Sequence, residues 1–402
     1  MSLKPVRLAY FVTHPIQYQA PLLRMIAADP SIELKVFFAT DHSLTQHYDP
    51  GFGREIAWDV DMINGYEHEV LPALNPGASL STLHPFSVGV AWRVLTGGFD
   101  AIWCHSYTRP AHLMAIFAGS ILGKKVFLRD EAGRYSSNPS PLRALVKCCF
   151  LKALNPLLSG ILTIGKLNRE FYSRQGIPAR KLFSMPYAVD NVWFQKRLVE
   201  AAADREELRR QLGVQPDQRI VLFAAKFQPR KRGDDLIRAF AKMALDNPAE
   251  NAVLVMVGEG EMNEEWRSVA NKISPGKVIF VGFKGMLELP AYFELCDVFV
   301  IPSKREPWGL VLNEVMNAAK PVISAHEVGS AHDLLKHGEN GYLVETGNID
   351  QLAGALHKIL SNPKKAAAMG KRSLEIIGDW SYERDIEGLK NALRIYFGDR
   401  VK

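Results

Sequence analysis

Three things are scarce in this chain of 402 residues: cysteine, long uncharged apolar runs, and the short motifs of metal-bound or nucleophilic chemistry. The four cysteines, Cys104, Cys148, Cys149 and Cys296, form no C-x-x-C pair, and the adjacent Cys148 and Cys149 would bridge only under unusual strain. They read as reduced thiols, which excludes a disulfide scaffold. No window of about 18 residues is apolar and uncharged enough to span a bilayer. The opening MSLKPVRLAYFVTH has an apolar run shorter than a signal-peptide core and no small-residue cleavage site. A cytoplasmic location is expected, with any membrane contact peripheral and at the cytoplasmic face. G-x-S-x-G, H-E-x-x-H and G-x-x-x-x-G-K-[ST] are all missing. His326, His332 and His337 match no compact ligand spacing, and the Asp59–Asp61 DVD triplet lies in a charged stretch with no buried strand before it. No metal and no cofactor is expected. Charge of one sign is also in short supply: 49 Lys plus Arg against 43 Asp plus Glu give a net charge of +6. The basic residues are scattered, which suits an anionic substrate or membrane surface and argues against nucleic acid as a partner.

What the sequence has is alternation. Hydrophobic content of 47% with 23% charged residues belongs to a folded protein, and the length implies two domains. Strands are expected at Arg7–Val12, Glu33–Phe38, Ala101–Trp103, Lys125–Leu128, Gly160–Ile164, Ile220–Ala224, Ala252–Val257, Val278–Val281, Val298–Ile301 and Pro321–Ser324. Most are continuous apolar runs, as parallel strands covered on both faces require. Helical spacing fills the intervals, at Ala20–Ala28, Pro110–Leu122, Asp234–Asp246, Leu287–Leu295, Leu310–Ala319 and, last, Tyr382–Tyr396. The expected fold is α/β, with two Rossmann-like doubly wound parallel-sheet domains. The expected division is 1–195, 196–378 and a C-terminal helix, 379–402, packing back on the first domain. Ligands of such domains lie at the carboxyl ends of the strands.

One stretch raises a question of its own: SKREPWGLVLNEVMNAAKPV holds Glu306 and Glu314 among apolar residues. On one continuous helix, residues eight apart stand about 12 Å apart along the axis and diverge by roughly 80°. Pro307 and Gly309 favour another layout, with Glu306 in the loop after a strand and Glu314 one turn inside the following helix. Amides near Trp308, Gly309 and Leu310 then face the crevice, where they suit phosphate or sugar oxygens. Spacing alone also fits a surface-loop glutamate followed by an ordinary helix-face one. After the first strand of the second half, AAKFQPRKRGD sets Lys226, Arg230, Lys231 and Arg232 before a glycine and a helix, as a diphosphate cradle or as a solvated basic turn. VGEG, with Gly258, lacks the third glycine of a dinucleotide fingerprint and reads as a tight turn near a ligand. In the first half, His14 with Gln17 and Tyr18 (THPIQY) and His105 (IWCHSY) follow strands. Arg129, Asp130 and Glu131 follow a third.

Taken together, these segments resemble the retaining GT-B glycosyltransferases of family 4. The likeness runs from AAKFQPRKRGDDLIRAF through VLVMVGEGE, VIFVGF and LCDVFVIPSKREPWGLVLNEVMNAAKPVISAHEVG to HGENGYLV, about Ile220 to Val344. It implies two domains facing a central cleft, the first binding an acceptor and the second a nucleotide sugar, UDP- or GDP-linked. It implies that Glu314 binds the ribose hydroxyls, that Glu306 faces the donor sugar beside the amides of Gly309 and Leu310, and that Lys226 contacts the diphosphate. The second phosphate-binding cation is Lys231 or Arg232, because an extra residue before Gly233 leaves the register open. Val281, Gly282 and Phe283 resemble the turn lining the base pocket, and His105 the histidine near the reacting centre. His14, Gln17, Tyr18, Arg129 and Glu131 are left for the acceptor or the cleft rim. The implied reaction is front-face transfer of a hexose or related sugar, without a metal, to a glycan or lipid-linked acceptor, in cell-surface polysaccharide, lipopolysaccharide or glycolipid synthesis. Three departures stand out: THPIQY replaces a glycine-rich loop, Lys320 a common glycine, and Ser330 one glycine of a pair.

Two other activities share some of these features. A non-hydrolysing nucleotide-sugar epimerase would use the same architecture but gives no reason for E-P-W-G-L-V-L-N-E. A nucleic-acid-binding protein rests on the basic pI alone. Separately, LRALVKCCFLKALNPLL (Leu142–Leu158) reads either as a core-facing helix, the preferred reading, or as an interfacial helix whose Arg143, Lys147 and Lys152 meet anionic lipid at the inner membrane.

Overall fold

The computed structural model describes residues 4–74, 84, 86–136 and 140–401. In chain order the strands are β1 (Val6–Val12), β2 (Ile32–Phe38), β3 (His47–Asp49), β4 (Arg54–Ile56), β5 (Glu67–Val70), β6 (Ala101–His105), β7 (Lys125–Arg129), β8 (Gly160–Thr163) and β9 (Leu182–Ser184). They continue as β10 (Arg219–Ala224), β11 (Ala252–Val257), β12 (Val278–Gly282), β13 (Val298–Ile301), β14 (Val322–Ala325) and β15 (Gly341–Val344). Two compact units result. Unit 1 holds Met1–His47, Val60–Ala188 and Tyr382–Lys402; unit 2 holds Tyr48–Asp59 and Val189–Ser381. The expected division was at 195/196 and 378/379. The chain changes unit at 188/189 and 381/382, and a short segment of the first half, Tyr48–Asp59, belongs to unit 2.

Each unit has its own parallel sheet, in the order β5-β2-β1-β6-β7-β8-β9 in unit 1 and β12-β11-β10-β13-β14-β15 in unit 2. In both, the chain winds outward in one direction and then in the other, so a switch point lies between β1 and β6 and between β10 and β13. The unit 2 sheet shows why its strands are apolar throughout. Ile220, Leu222, Val253 and Val255 enter one core; Val221, Phe223, Leu254 and Met256 enter the other. The helices Leu289–Leu295 and Val311–Met316 cover the first face, and Gly233–Asp246 and Ile349–Leu360 the second. With water excluded on both sides, alternation has no role.

In unit 1 the C-terminal helix Tyr382–Phe397 lies against β9 so closely that a Cβ on Gly388 would stand 1.9 Å from the Ser184 carbonyl oxygen. The helix Pro141–Leu154 corrects an expectation. Only Leu151 and Leu154 are buried, while Leu142, Leu145 and Val146 are 70%, 60% and 60% exposed, so the preferred core-facing reading holds for its last turn alone. No described helix is long and apolar enough to cross a membrane.

Candidate functional site

The switch point of unit 2 gathers the basic turn and the glutamate loop. The chain leaves β10 into Lys226–Arg232 and leaves β13 into Ser303–Leu310, and the two loops meet: the Lys304 amide donates to the Arg230 carbonyl at 2.7 Å. Glu306 is 7% exposed and accepts from Arg230 Nη1 at 2.8 Å and from Lys231 Nζ. Its backbone is fixed on both sides, the Glu306 amide donating to Glu327 and the Gly329 amide to the Glu306 carbonyl. Burial draws the Lys231 ammonium below the ordinary lysine range, against the opposing charge of Glu306. Arg232 turns away, its Nε donating to Asp235 at 2.6 Å. Of the two cations that sequence left open, Lys231 is therefore the one beside Glu306. Arg230, one of the four cations of the basic turn but given no role by the family resemblance, is there as well.

Lys226 meets a residue that sequence reasoning missed. Its Nζ donates to both carboxylate oxygens of Asp49, at 2.9 and 2.7 Å, and lies 4.6 Å from the centre of the Phe52 ring. Nothing in the local sequence places Asp49 there, since 177 residues separate the pair. Phe283, following β12, stands edge-on to Phe52 with ring centres 4.7 Å apart. Val281 and Gly282 end the same strand. Gly258 has to be glycine: its φ is +133°, and a Cβ would lie 1.9 Å from the Ala225 carbonyl oxygen. The turn after β11 can sit against the turn after β10 only on those terms.

Glu314 lies on the helix Val311–Met316, and burial alone pushes its carboxyl up to about 7. Gly309 adopts φ +89° where the chain enters that helix. Leu310 caps the helix, and the Ser330 hydroxyl donates to the Gly309 carbonyl at 3.3 Å, so serine replaces the usual glycine with a bond of its own. The Trp308 side chain is directed inward. Its Nε1 donates to Asn313 Oδ1 at 2.9 Å and its ring stacks on Trp380 at 6.0 Å, leaving only the backbone of Trp308 for a ligand. Lys320 donates to the Glu294 carbonyl at 2.6 Å, and Ala319 takes the left-handed conformation that ends the segment.

The switch point of unit 1 holds a separate cluster. His105, at the end of β6, lies between two phenols: Tyr10 at 3.0 Å from Nδ1 and Tyr187 at 3.1 Å from Nε2, with Gln19 Nε2 at 3.3 Å from Nδ1. Burial, with the Arg129 charge nearby, pushes the imidazole well below the ordinary histidine range, so His105 is neutral. Tyr10, Gln19 and Tyr187 were not foreseen, because their alignment depends on strand order. Tyr18 lies edge-on to Tyr187 at 5.6 Å, and burial pushes its phenol up to about 12. His14 Nδ1 is buried with no hydrogen-bond partner among the described residues, and burial pushes the ring down to about 4. Gln17 is half-buried in the same turn, and Glu131 is exposed. Arg129 corrects an expectation. It is 1% exposed and donates to Asp385 at 3.0 Å and to the carbonyls of Met185 and Pro186, with its guanidinium 4.7 Å from the Tyr187 ring. It fixes the C-terminal helix and Tyr187, and its Nε, without a hydrogen-bond partner among the described residues, is buried and not at a rim.

Backbone strain marks the same places. Of the described non-glycine residues with positive φ, Ser106, Arg232 and Arg305 lie in the loops after β6, β10 and β13. The DVD aspartates part company: Asp59 accepts from the amides of Met286 and Leu287, and Asp61 from those of Ile63 and Asn64. Among the described residues no group of three or more His, Cys, Asp or Glu could hold a metal ion.

Residues 204–375, all in unit 2, match the family described as Glycosyl transferases group 1. An uncharacterized glycosyltransferase of Methanocaldococcus jannaschii is 34% identical over 40% of this chain and 40% of its own length. A GDP-mannose-dependent alpha-(1-6)-phosphatidylinositol monomannoside mannosyltransferase of Mycobacterium tuberculosis is 30% identical over 54% of this chain and 57% of its own. The chain thus spans about half the length of the curated relatives it matches. Among solved structures, Anabaena HepE in complex with UDP and glucose superposes with a TM-score of 0.71 at 19% identity, covering 96% of this chain and 99% of that one. At that identity the likeness carries the fold, and the two-sheet α/β architecture expected from the sequence is the one found.

Proposed function

We propose that the protein is a retaining glycosyltransferase of family 4, moving a hexose or related sugar from a UDP- or GDP-sugar to a hydroxyl of a glycan or lipid-linked acceptor. One observation carries the reading: Arg230 and Lys231 converge on Glu306 at the switch point of unit 2, with Lys226 in the same turn after β10, inside the stretch that matches the family. In this reading Lys226 and Lys231 bind the diphosphate, with Arg230 beside them. Their fixed charges stabilise the leaving group as the bond from the anomeric carbon to the phosphate oxygen breaks. The acceptor oxygen bonds to the same face of that carbon, and its proton passes to the departing phosphate oxygen. Glu306 orients the sugar and supports positive charge developing on it. Glu314 accepts from the ribose hydroxyls, and the amides of Gly309 and Leu310 serve the donor. Val281, Gly282 and Phe283 line the base. Neutral His105, both of whose ring nitrogens are engaged by Tyr10 and Tyr187, meets the sugar or phosphate by exchanging one of those phenols, and His14, Gln17 and Tyr18 serve the acceptor. The cations meet the leaving group's charge without calling on a metal.

The exposed apolar face of Pro141–Leu154 supports a peripheral role at an anionic lipid surface. That helix carries Arg143, Lys147 and Lys152 and no acidic residue. It also fits an acceptor presented at the membrane.

Thermal shift with UDP-, GDP- and ADP-sugars identifies the donor, since a bound ligand raises the melting temperature by mass action. With that donor, Glu306→Gln should lose transfer while donor binding changes modestly. Wild-type turnover by Glu306→Gln would overturn the assignment.

A further inference from the structure

Every cation of the basic turn already has an internal carboxylate: Lys226 has Asp49, Arg230 and Lys231 have Glu306, and Arg232 has Asp235. Three of these partnerships are internal to the second half of the chain. The fourth is supplied by Tyr48–Asp59, which leaves the sequence of unit 1 between β2 and β5 and packs in unit 2. Its fit there is close. A Cβ on Gly51 would stand 2.7 Å from Lys226 Cδ, and one on Gly260 would stand 2.8 Å from the Gly51 carbonyl oxygen, so the segment lies directly on the turns after β10 and β11. Asp49 is aimed by its own chain: its Oδ1 accepts from the amides of Gly51 at 2.8 Å and Phe52 at 3.2 Å. Phe52 then meets Phe283, Arg54 lies 5.5 Å from the Phe283 ring and pairs with Glu259, and Asp59 accepts from the amides of Met286 and Leu287.

What holds this segment is almost wholly charge, hydrogen bonds and one aromatic edge. Within it only Ile56 is buried. Attachments of that kind exchange for others of the same kind at little cost, so the Asp49 end can let go while Ile56, the one buried apolar anchor, keeps its place. A carboxylate that engages an ammonium through both oxygens is also a fair likeness of a phosphate group. We infer that Tyr48–Asp59 is a displaceable strap over the donor site of unit 2, in which Asp49 holds the place of a donor phosphate on Lys226 and Phe52 stands beside the base-lining Phe283. Donor binding then requires the strap to yield Lys226, and the strap becomes a determinant of donor affinity. The inference rests on the reading of Lys226 as a diphosphate ligand.

Isothermal titration of the full chain with UDP and GDP tests it, using the wild type, Asp49→Asn and Lys226→Ala. Asparagine keeps the side-chain shape and an oxygen for the Gly51 and Phe52 amides but loses the charge, so Asp49→Asn should bind the preferred nucleotide about five-fold more tightly. Lys226→Ala should bind it weakly. Trypsin cleavage after Arg54, followed in the wild type, should quicken when the nucleotide is added. If the nucleotide binds the wild type and Asp49→Asn binds it equally or less tightly, the strap inference falls and the donor reading stands. If neither nucleotide binds any of the proteins, both fall together.

Discussion

Glu314→Gln removes a carboxyl that burial alone pushes up to about 7, from an ordinary value of 4.5. A value raised in the fold means that the folded protein prefers the protonated form. The stability linked to Glu314 is therefore fully present below 4.5 and is lost as pH rises through about 7. At about 1.4 kcal/mol per pH unit, the interval amounts to a cost of about 3 kcal/mol once the side chain is ionised. Glutamine has the same shape and never ionises. Glu314→Gln should thus match the wild type below about pH 4.5 and exceed it by about 3 kcal/mol near pH 8, or roughly 6–12 °C in melting temperature for a unit of this size. Urea unfolding of both proteins across that range, followed by tryptophan fluorescence, reads the difference directly. A difference that stays constant with pH would refute the reasoning, because only a carboxyl that ionises as readily in the fold as in the unfolded chain gives no such slope. The proposed function adds a second slope of opposite sense. Ribose hydroxyls donate to the ionised carboxylate, so nucleotide affinity of the wild type should climb as pH rises toward about 7, and that of Glu314→Gln should be weaker and flat.

Asp385→Ala strands Arg129 in the interior and should cost about 3–5 kcal/mol in urea unfolding, whereas Arg129→Met with Asp385→Leu should recover most of it. No recovery in the double variant would mean that the Met185 and Pro186 carbonyls, left without their donor, matter more than the charge pair. Flotation with anionic vesicles should carry the wild type and lose Leu145→Glu/Val146→Glu; equal recovery of both proteins would remove the lipid reading of Pro141–Leu154.

The central strands of both sheets were legible because burial on two faces writes itself as unbroken apolar sequence. Ala252–Val257 and Val298–Ile301 were expected at the bounds they adopt, as was the helix Ala20–Ala28. Three of the four edges of the two large sheets were not legible, while the fourth, Val278–Gly282, was expected as Val278–Val281. Glu67–Val70 is EHEV, a polar strand with one neighbour, Leu182–Ser184 has three residues, and Gly341–Val344 opens on a glycine whose Cβ would stand 1.8 Å from the Val322 carbonyl oxygen. In the site, Glu306 and the basic turn could be named from residue type and from their places after strands. Their meeting could not, since it depends on β10 and β13 being neighbours. Trp308 and Arg129 show the opposite error. Both stand where ligand-binding residues would, and both side chains turn inward to partners, Trp380 and Asp385, that lie near the far end of the chain.

That far end sets a limit on how the protein can be dissected. Trp308 leans on Trp380, and Asn191 Nδ2 donates to the carbonyls of Ile377 and Trp380 at 3.0 and 3.2 Å. All three partners lie outside the stretch 204–375 that matches the family. A fragment trimmed to that stretch would keep every cation and both glutamates, yet it would strip the indole beneath the glutamate loop of its neighbour and leave that loop hinged on water. A fragment of unit 2 that keeps this tryptophan clasp must therefore reach from Asn191 to Trp380, and it is longer than its chemistry.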